Sequence, residues 1–338
     1  MKILLQLMLS VLLIFAAGSA FAVKVDLLYQ GQVSVTSQSP VEQSRAVQVA
    51  LLQVLTKVSG NNPLLKNPDI QSHLTGAEKL VQQVGYAKPY LLNVDFDPSG
   101  VNELLRSLNI PLWGQNRPLI LAWIEVETPG HPAEIVGNDS TSEVISLLKT
   151  NAEQRGLPIL FPLMDITDIN LISTKDIATM SIPTLMNATK RYAGEILLIG
   201  RVIQGPTGFV TQWKLVLNDN QWNWNFTGKT LKDMITPLME NVTTTLASRF
   251  AVVTSNAVQT ELTLKVTGVT LQTDFGDLVH YLEHLTPVAN VNVQRIAGSE
   301  VILNISLRGT EQSFTQLLSL GKKLTPINAA EWTYQWNH

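Results

Sequence analysis

The stretch that decides the fold runs from Glu195 to Phe226. It opens Glu195-Ile196-Leu197-Leu198-Ile199-Gly200, an apolar run suited to a strand buried on both faces. Gly205-Pro206-Thr207-Gly208 interrupts it, and Phe209 to Leu217 resumes the strand character. Asn218-Asp219-Asn220 then breaks the chain again before Gln221 to Phe226. Such short turns leave no room for a crossover helix, so these segments predict antiparallel hairpins. Upstream, Leu119 to Val126 and Pro158 to Met164 read as further strands. Between them, Asp139 or Ser140 is the expected cap of a helix reaching Arg155 and stopped by Gly156. Ser173-Thr174-Lys175-Asp176 has capping-box spacing, and a helix is predicted from about Ile182 to Tyr192. Thr230 is the expected cap of a long helix to about Phe250, which must tolerate Pro237 as a kink or early-turn residue. Residues 116–255 therefore predict a mixed sheet with helices on its faces.

The C-terminal region, 258–338, predicts strand Leu262–Val269, helix Asp274–Leu285, a hairpin of Val291–Ile296 with Val301–Leu307, helix Glu311–Leu320 and a terminal strand Trp332–Trp336. That order is the ferredoxin-like βαββαβ plan. The N-terminal region, 23–115, predicts a strand within Val25–Val35 and a helix opened by Ser39-Pro40 and closed by Gly60. A loop over Asn62–Ser72, a strand Tyr90–Phe96 and a short helix from Pro98 follow. Leu112-Trp113-Gly114-Gln115-Asn116-Arg117-Pro118 is the connector between the first two regions. The expected fold class is α+β, with three small α/β domains in series at 23–115, 116–255 and 258–338.

Residues 1–22 read as a signal peptide: Lys2, an apolar run from Ile3 to Ala17, then Ala20 and Ala22 in small-x-small spacing, with the cut expected after Ala22. This predicts export to the periplasm. With Cys 0, disulfides, thiolate metal sites and lipid anchoring are all excluded on this reading. Hydrophobic content of 45% against 15% charged residues favours packed domains. After Ala22 no apolar run approaches the length of a membrane span. The net charge of −3, without a basic stripe, argues against a nucleic-acid partner.

Ser44-Arg45-Ala46, Val54-Leu55-Thr56-Lys57-Val58-Ser59-Gly60, Phe96-Asp97, and Trp113 to Pro118 running into Leu121-Ala122-Trp123 form a recurring order of features. Together they resemble an uncharacterised bacterial envelope family, domain of unknown function 2066 (DUF2066). The resemblance implies location and architecture, not chemistry. The order of Ala193–Gly200, a hairpin and a long helix is also similar to the small α/β domain of the N-terminal part of TolB and of outer-membrane activators of peptidoglycan synthases.

His280-Tyr281-Leu282-Glu283-His284 matches H-x-x-E-H, a zinc motif in which two His on one helix face bind metal and the Glu acts as base. It is set aside. Phe275, Leu278, Val279, Leu282 and Leu285 form the core face, so both His point to solvent. Little chain remains to supply a third ligand, and the small host fold offers no obvious cleft. Trp222, Trp224 and Phe226 alternate with polar residues and are expected to pack against a helix. Trp332, Tyr334 and Trp336 alternate at the chain end, where an edge strand would expose them as a candidate binding surface. Asp95 with Asp97, Glu125 with Glu127, and Asp165 with Asp168 are spaced as candidate carboxylate pairs, and none is assigned a role. Arg45 and Arg117 are expected to anchor inter-domain salt bridges. No catalytic or phosphate-binding motif is found, so neither enzyme activity nor a cofactor is expected. The expectation is a periplasmic, non-enzymatic protein that binds another envelope protein. The alternatives are a peptidoglycan or other glycan binder using the aromatics, and a hydrolase with an unrecognised site.

Overall fold

A computed structural model describes residues 23–25, 27–60, 63–66, 68–254, 258, 260–321 and 323–337. The signal-peptide reading at 1–22 lies outside the described residues. The fold is α+β with several sheets. Among the described residues no helix is long and apolar enough to cross a membrane.

The N-terminal part contains β1 (Val23–Lys24), β2 (Gln30–Ser34), α1 (Pro40–Ser59), α2 (Pro68–Leu74), β3 (Val81–Lys88), β4 (Leu91–Phe96) and α3 (Pro98–Ser107). Ser39 caps α1 by accepting from Glu42 N, and Gly60 closes it in the left-handed conformation. The sheet order is β2-β4-β3, all antiparallel. Helix α1 lies against β2 so closely that a Cβ on Gly31 would fall 2.6 Å from the Ala50 Cβ. The expected loop at Asn62–Ser72 instead holds a 3-10 turn, Pro63–Lys66, and the start of α2. Strand β3 was not expected because its Gln, Gly and Lys content hides any apolar alternation; it is the other outer strand of this sheet.

The middle part contains β5 (Asn116–Arg117), β6 (Ile120–Glu127), β7 (Glu134–Val136), α4 (Glu143–Arg155), β8 (Ile159–Leu160), α5 (Ile166–Leu171), α6 (Thr174–Ala178), α7 (Ile182–Thr189), β9 (Ile196–Gly205), β10 (Gly208–Leu217), β11 (Asn220–Gly228) and α8 (Lys232–Phe250). The order is β11-β10-β9-β6-β7, with β8 pairing the other end of β6. β6 and β9 are parallel, and β9, β10 and β11 are antiparallel hairpins. Successive residues of β6 face opposite layers. Ile120, Ala122 and Ile124 pack with Leu148 of α4 and Leu238 of α8. Leu121 and Trp123 pack with Ile177 of α6 and Leu185 of α7. This double coverage explains the uninterrupted apolar run. The strand expected over Pro158–Met164 shrinks to β8, and the loop that follows carries α5.

The C-terminal part contains β12 (Thr260–Thr267), α9 (Gln272–Glu283), β13 (Val288–Ala297), β14 (Glu300–Leu307), α10 (Glu311–Gly321), β15 (Leu324–Asn328) and β16 (Thr333–Trp336). The order is β13-β14-β12-β16-β15. It departs from the expected βαββαβ plan at one point. Strand β15 enters after α10 and reverses the chain, so β16 runs parallel to β12 and antiparallel to β15. β15 carries Pro326 and exposes most of its side chains, as an outer strand tolerates. The apolar core under this sheet is continuous with that under α4 and α8 through Phe250 and Val252.

Candidate functional site

The connector is the structural centre of the chain. β5 pairs with β1, and Leu112 exchanges both backbone bonds with Val252 at 2.8 Å. Arg117 is fully buried and uses all five N–H groups on carbonyls. Nε donates to Gly114 O at 3.0 Å. Nη1 donates to Arg155 O and Gly156 O, each at 2.9 Å. Nη2 donates to Lys57 O at 2.6 Å and Trp113 O at 2.8 Å. The guanidinium also lies 4.1 Å from the centroid of the Trp113 ring. This corrects the expected salt bridge. The counter-charge is supplied by the carbonyl ends of α1 and α4, whose last turns have no intrahelical donors of their own. Burial pushes the guanidinium down to about 9, so it stays charged at neutral pH. Gly156 closes α4 at φ 63°, and a Cβ there would sit 3.1 Å from Arg117 Nη1. Arg45 is corrected too: it is an exposed partner of Glu42 at 2.7 Å within one helix, not an inter-domain anchor.

The candidate carboxylate pairs resolve into structural duties. Asp97 caps α3 by accepting from Ser99 N and Gly100 N, and Asp95 accepts from Gln30 Nε2. Glu125 and Glu127 flank Arg201, at 3.6 and 3.0 Å. Burial raises the Glu125 carboxyl above its usual range, with Arg201 opposing. Asp165 caps α5 and pairs with Arg191 at 2.6 Å, and that pairing holds its carboxyl well below the usual range.

Asp168 forms a clamp. It is completely buried, takes Arg191 Nη1 at 2.7 Å and Met164 N at 3.0 Å, and accepts from the Tyr192 hydroxyl. Tyr192 in turn accepts from Leu163 N at 2.9 Å. Burial, then the Asp168 contact, raises the Tyr192 phenol to about 12. The clamp pins a segment that is otherwise poor in sheet pairing, and that segment turns apolar side chains to solvent. Leu163, Ile166 and Ile169 are 57%, 79% and 62% exposed, with Leu160 and Leu171 beside them in sequence. Ile166 and Ile169 lie one turn apart on α5. Leu163 alone of the ridge falls within the strand expected at Pro158–Met164, where its apolar neighbours Ile159, Leu160 and Phe161 do not distinguish an exposed side chain from a buried one.

The terminal aromatics are corrected. Tyr334 and Trp336 are each only 3% exposed, and Trp332 is half-buried against Phe314. Because β15 covers the outer side of β16, these residues do not form the exposed surface expected of an edge strand. Trp222, Trp224 and Phe226 of β11 are half-buried against the core under α8, with Arg249 over the Trp222 ring.

His280, Glu283 and His284 are all exposed. The two imidazoles are 4.0 Å apart, and His284 Nδ1 lies 2.7 Å from His280 O. A cleft of about 240 Å³ does open beside them, bordered also by Asp277, Lys323 and Trp336. Among the described residues no group of three or more His, Cys, Asp or Glu side chains is placed to hold a metal ion. A larger cleft of about 630 Å³ separates β2 and α1 from the end of α4. Its walls come from segments far apart in the chain, so no local pattern marks it.

These features define an α+β chain whose polar clusters brace its packing. Residues 22–114 match the model of a domain of unknown function (DUF8605). That match overturns the resemblance to DUF2066: the N-terminal region that carried much of it fits a different family. No curated protein matches the sequence. Among solved structures, the lipoprotein GNA1162 from Neisseria meningitidis aligns at 13% identity and TM-score 0.25, over 38% of this chain and 96% of that one. TolB from Acinetobacter baumannii aligns at 12% identity and TM-score 0.22, over 59% of this chain and 38% of that one. Likenesses this weak establish nothing about the middle region, and the expected TolB-like domain has no support from them.

Proposed function

We propose that this chain is a non-enzymatic protein of the cell envelope that binds another envelope protein through the apolar ridge at Leu163, Ile166 and Ile169. The observation that supports it is the pairing of exposure with rigidity. Side chains of this kind gain about 1.5–3 kcal/mol each on full burial, so leaving them in solvent is a cost that a partner removes. The Asp168 clamp fixes their backbone beforehand, which lowers the ordering cost of association. An apolar anchor cluster bordered by the charged Asp165–Arg191 pair has the layout of an interface hot spot with a polar rim. The apolar run at 1–22 with Ala20 and Ala22, read as a leader, supports the periplasm as its compartment. With the terminal aromatics turned inward, the glycan-binding alternative has lost the surface it relied on.

The absence of native cysteine makes the test direct. An Ile169→Cys variant, expressed with its leader and treated with a cysteine-specific cross-linker in cells, should give one discrete adduct in the periplasmic fraction. Ile166→Ser should abolish that adduct, while Val41→Cys on the exposed face of α1 should give none. Equal labelling from both positions, or a chain retained in the cytosol, refutes the reading.

A further inference from the structure

Strand β11 ends its sheet and leaves that edge open. The edge shares no residue with the ridge and is independent of the reading above. An open strand edge offers unpaired N–H and C=O groups, and proteins blunt such edges with short strands, charges, proline, bulges or a covering side chain. Among the described residues, the other outer strands of the three larger sheets each carry such a device. β7 and β8, which pair β6, span only three and two residues. β2 has Gln53 and Lys57 bonded to its outward backbone groups. β3 and β13 each shift register twice against their neighbours, and β15 carries Pro326 and one shift. β11 pairs with β10 over nine residues, Asn220–Gly228, with no shift, no charge and no proline.

Leu217 and Asn220 close a two-residue turn, so Asn220, Trp222, Trp224 and Phe226 exchange backbone bonds with β10. Gln221, Asn223, Asn225 and Thr227 lie between them and turn their N–H and C=O groups to the open side. Among the described residues no side chain or loop is bonded to these groups. The strand is also complementary to itself. A two-fold axis at Trp224 sets two copies antiparallel, with Asn223 facing Asn225 and Gln221 facing Thr227, and each facing pair exchanges both backbone bonds. Trp224 then meets its own copy and Trp222 meets Phe226, which pairs the half-buried rings on the α8 side. The first charges beyond the strand are Asp219 and Lys229, both exposed. The same axis brings Asp219 of one copy opposite Lys229 of the other, so opposite signs meet at both ends. We propose that a second copy of this chain pairs with β11 in this register, joining two middle sheets into one continuous sheet.

The test is sedimentation equilibrium of the full chain up to about 100 μM, with a register-specific disulfide as the second measurement. Wild type should form a reversible dimer. Asn223→Asp combined with Asn225→Asp sets carboxylates opposite one another in both central pairs and should weaken association about tenfold or more. Both side chains are exposed, so this variant leaves the packing of one copy unchanged. Because the chain has no cysteine, Asn223→Cys mixed with Asn225→Cys in a glutathione buffer should give a disulfide-linked dimer. Either cysteine variant alone should give far less, since like positions then lie on a diagonal, about 7–8 Å apart. Three results would each overturn the proposal. One is a chain that stays monomeric, which would leave the edge to a strand of another protein. The others are a dimer indifferent to the paired Asp substitutions, and cross-linking by one cysteine variant as complete as by the mixture. None of these outcomes decides whether Ile169→Cys captures a different protein.

Discussion

Replacing Arg117 by Met should uncouple the N-terminal sheet from the rest of the chain. The side chain makes five charge-assisted bonds to carbonyls drawn from α1, the connector and the end of α4. Bonds to a charged group contribute about 1.5–3 kcal/mol each, so the gross interaction is of order 7–15 kcal/mol. Burying the guanidinium costs several kcal/mol in return. Met fills much of the volume but leaves five acceptors without a donor in a closed site, and water can reach only some of them. The net loss expected is about 3–5 kcal/mol. Arg117→Lys keeps the charge but offers three donors on a flexible stem, and should lose about 1–3 kcal/mol. Urea unfolding followed by tryptophan fluorescence is a suitable assay, since Trp113 lies 4.1 Å from the guanidinium. The Met variant should show an early transition that wild type lacks, because the segments bridged by Arg117 then open separately. A single transition displaced by less than about 1 kcal/mol would refute the claim that these carbonyls depend on Arg117.

Asp168→Asn should cost about 2–4 kcal/mol by weakening the bonds to Arg191 and Tyr192, and hydrogen exchange at the Leu163 and Met164 amides should speed up before the sheet opens. Tyr192→Phe has a signed pH dependence. The folded phenol titrates at about 12 against a reference of 10.0, so its contribution is complete below pH 10 and is lost as pH rises through 12. The stability gap between wild type and the Phe variant should therefore narrow over that window; a widening gap would contradict the assignment. Trp336→Ala should destabilise by about 3–5 kcal/mol, measured as a lowered urea midpoint, because the ring is buried beside Tyr281. A neutral Trp336→Ala would mean that the residue is exposed after all.

What the sequence determined by itself was local. Periodicity located α1, α4, α8 and the β9–β11 hairpins, because caps such as Ser39 and stops such as Gly60 and Gly156 act within a turn of their own position. The same local logic failed wherever a partner strand decided the outcome. Leu324–Asn328 has no apolar alternation and a proline, yet as β15 it covers β16 and turns Tyr334 and Trp336 from surface into core. Pro158 to Met164 has the apolar content of a strand, yet only Ile159–Leu160 pairs in the sheet, and Met164 is held outside it by Asp168, which Arg191 and Tyr192 close around. Arg117 was legible as an anchor, but not its partners: carbonyls are common to every residue, so only tertiary structure could bring two helix ends to one guanidinium. Short-range preference is written in residue identity; which edge is covered, and which charge meets which dipole, depends on chain segments that meet only once the protein is folded.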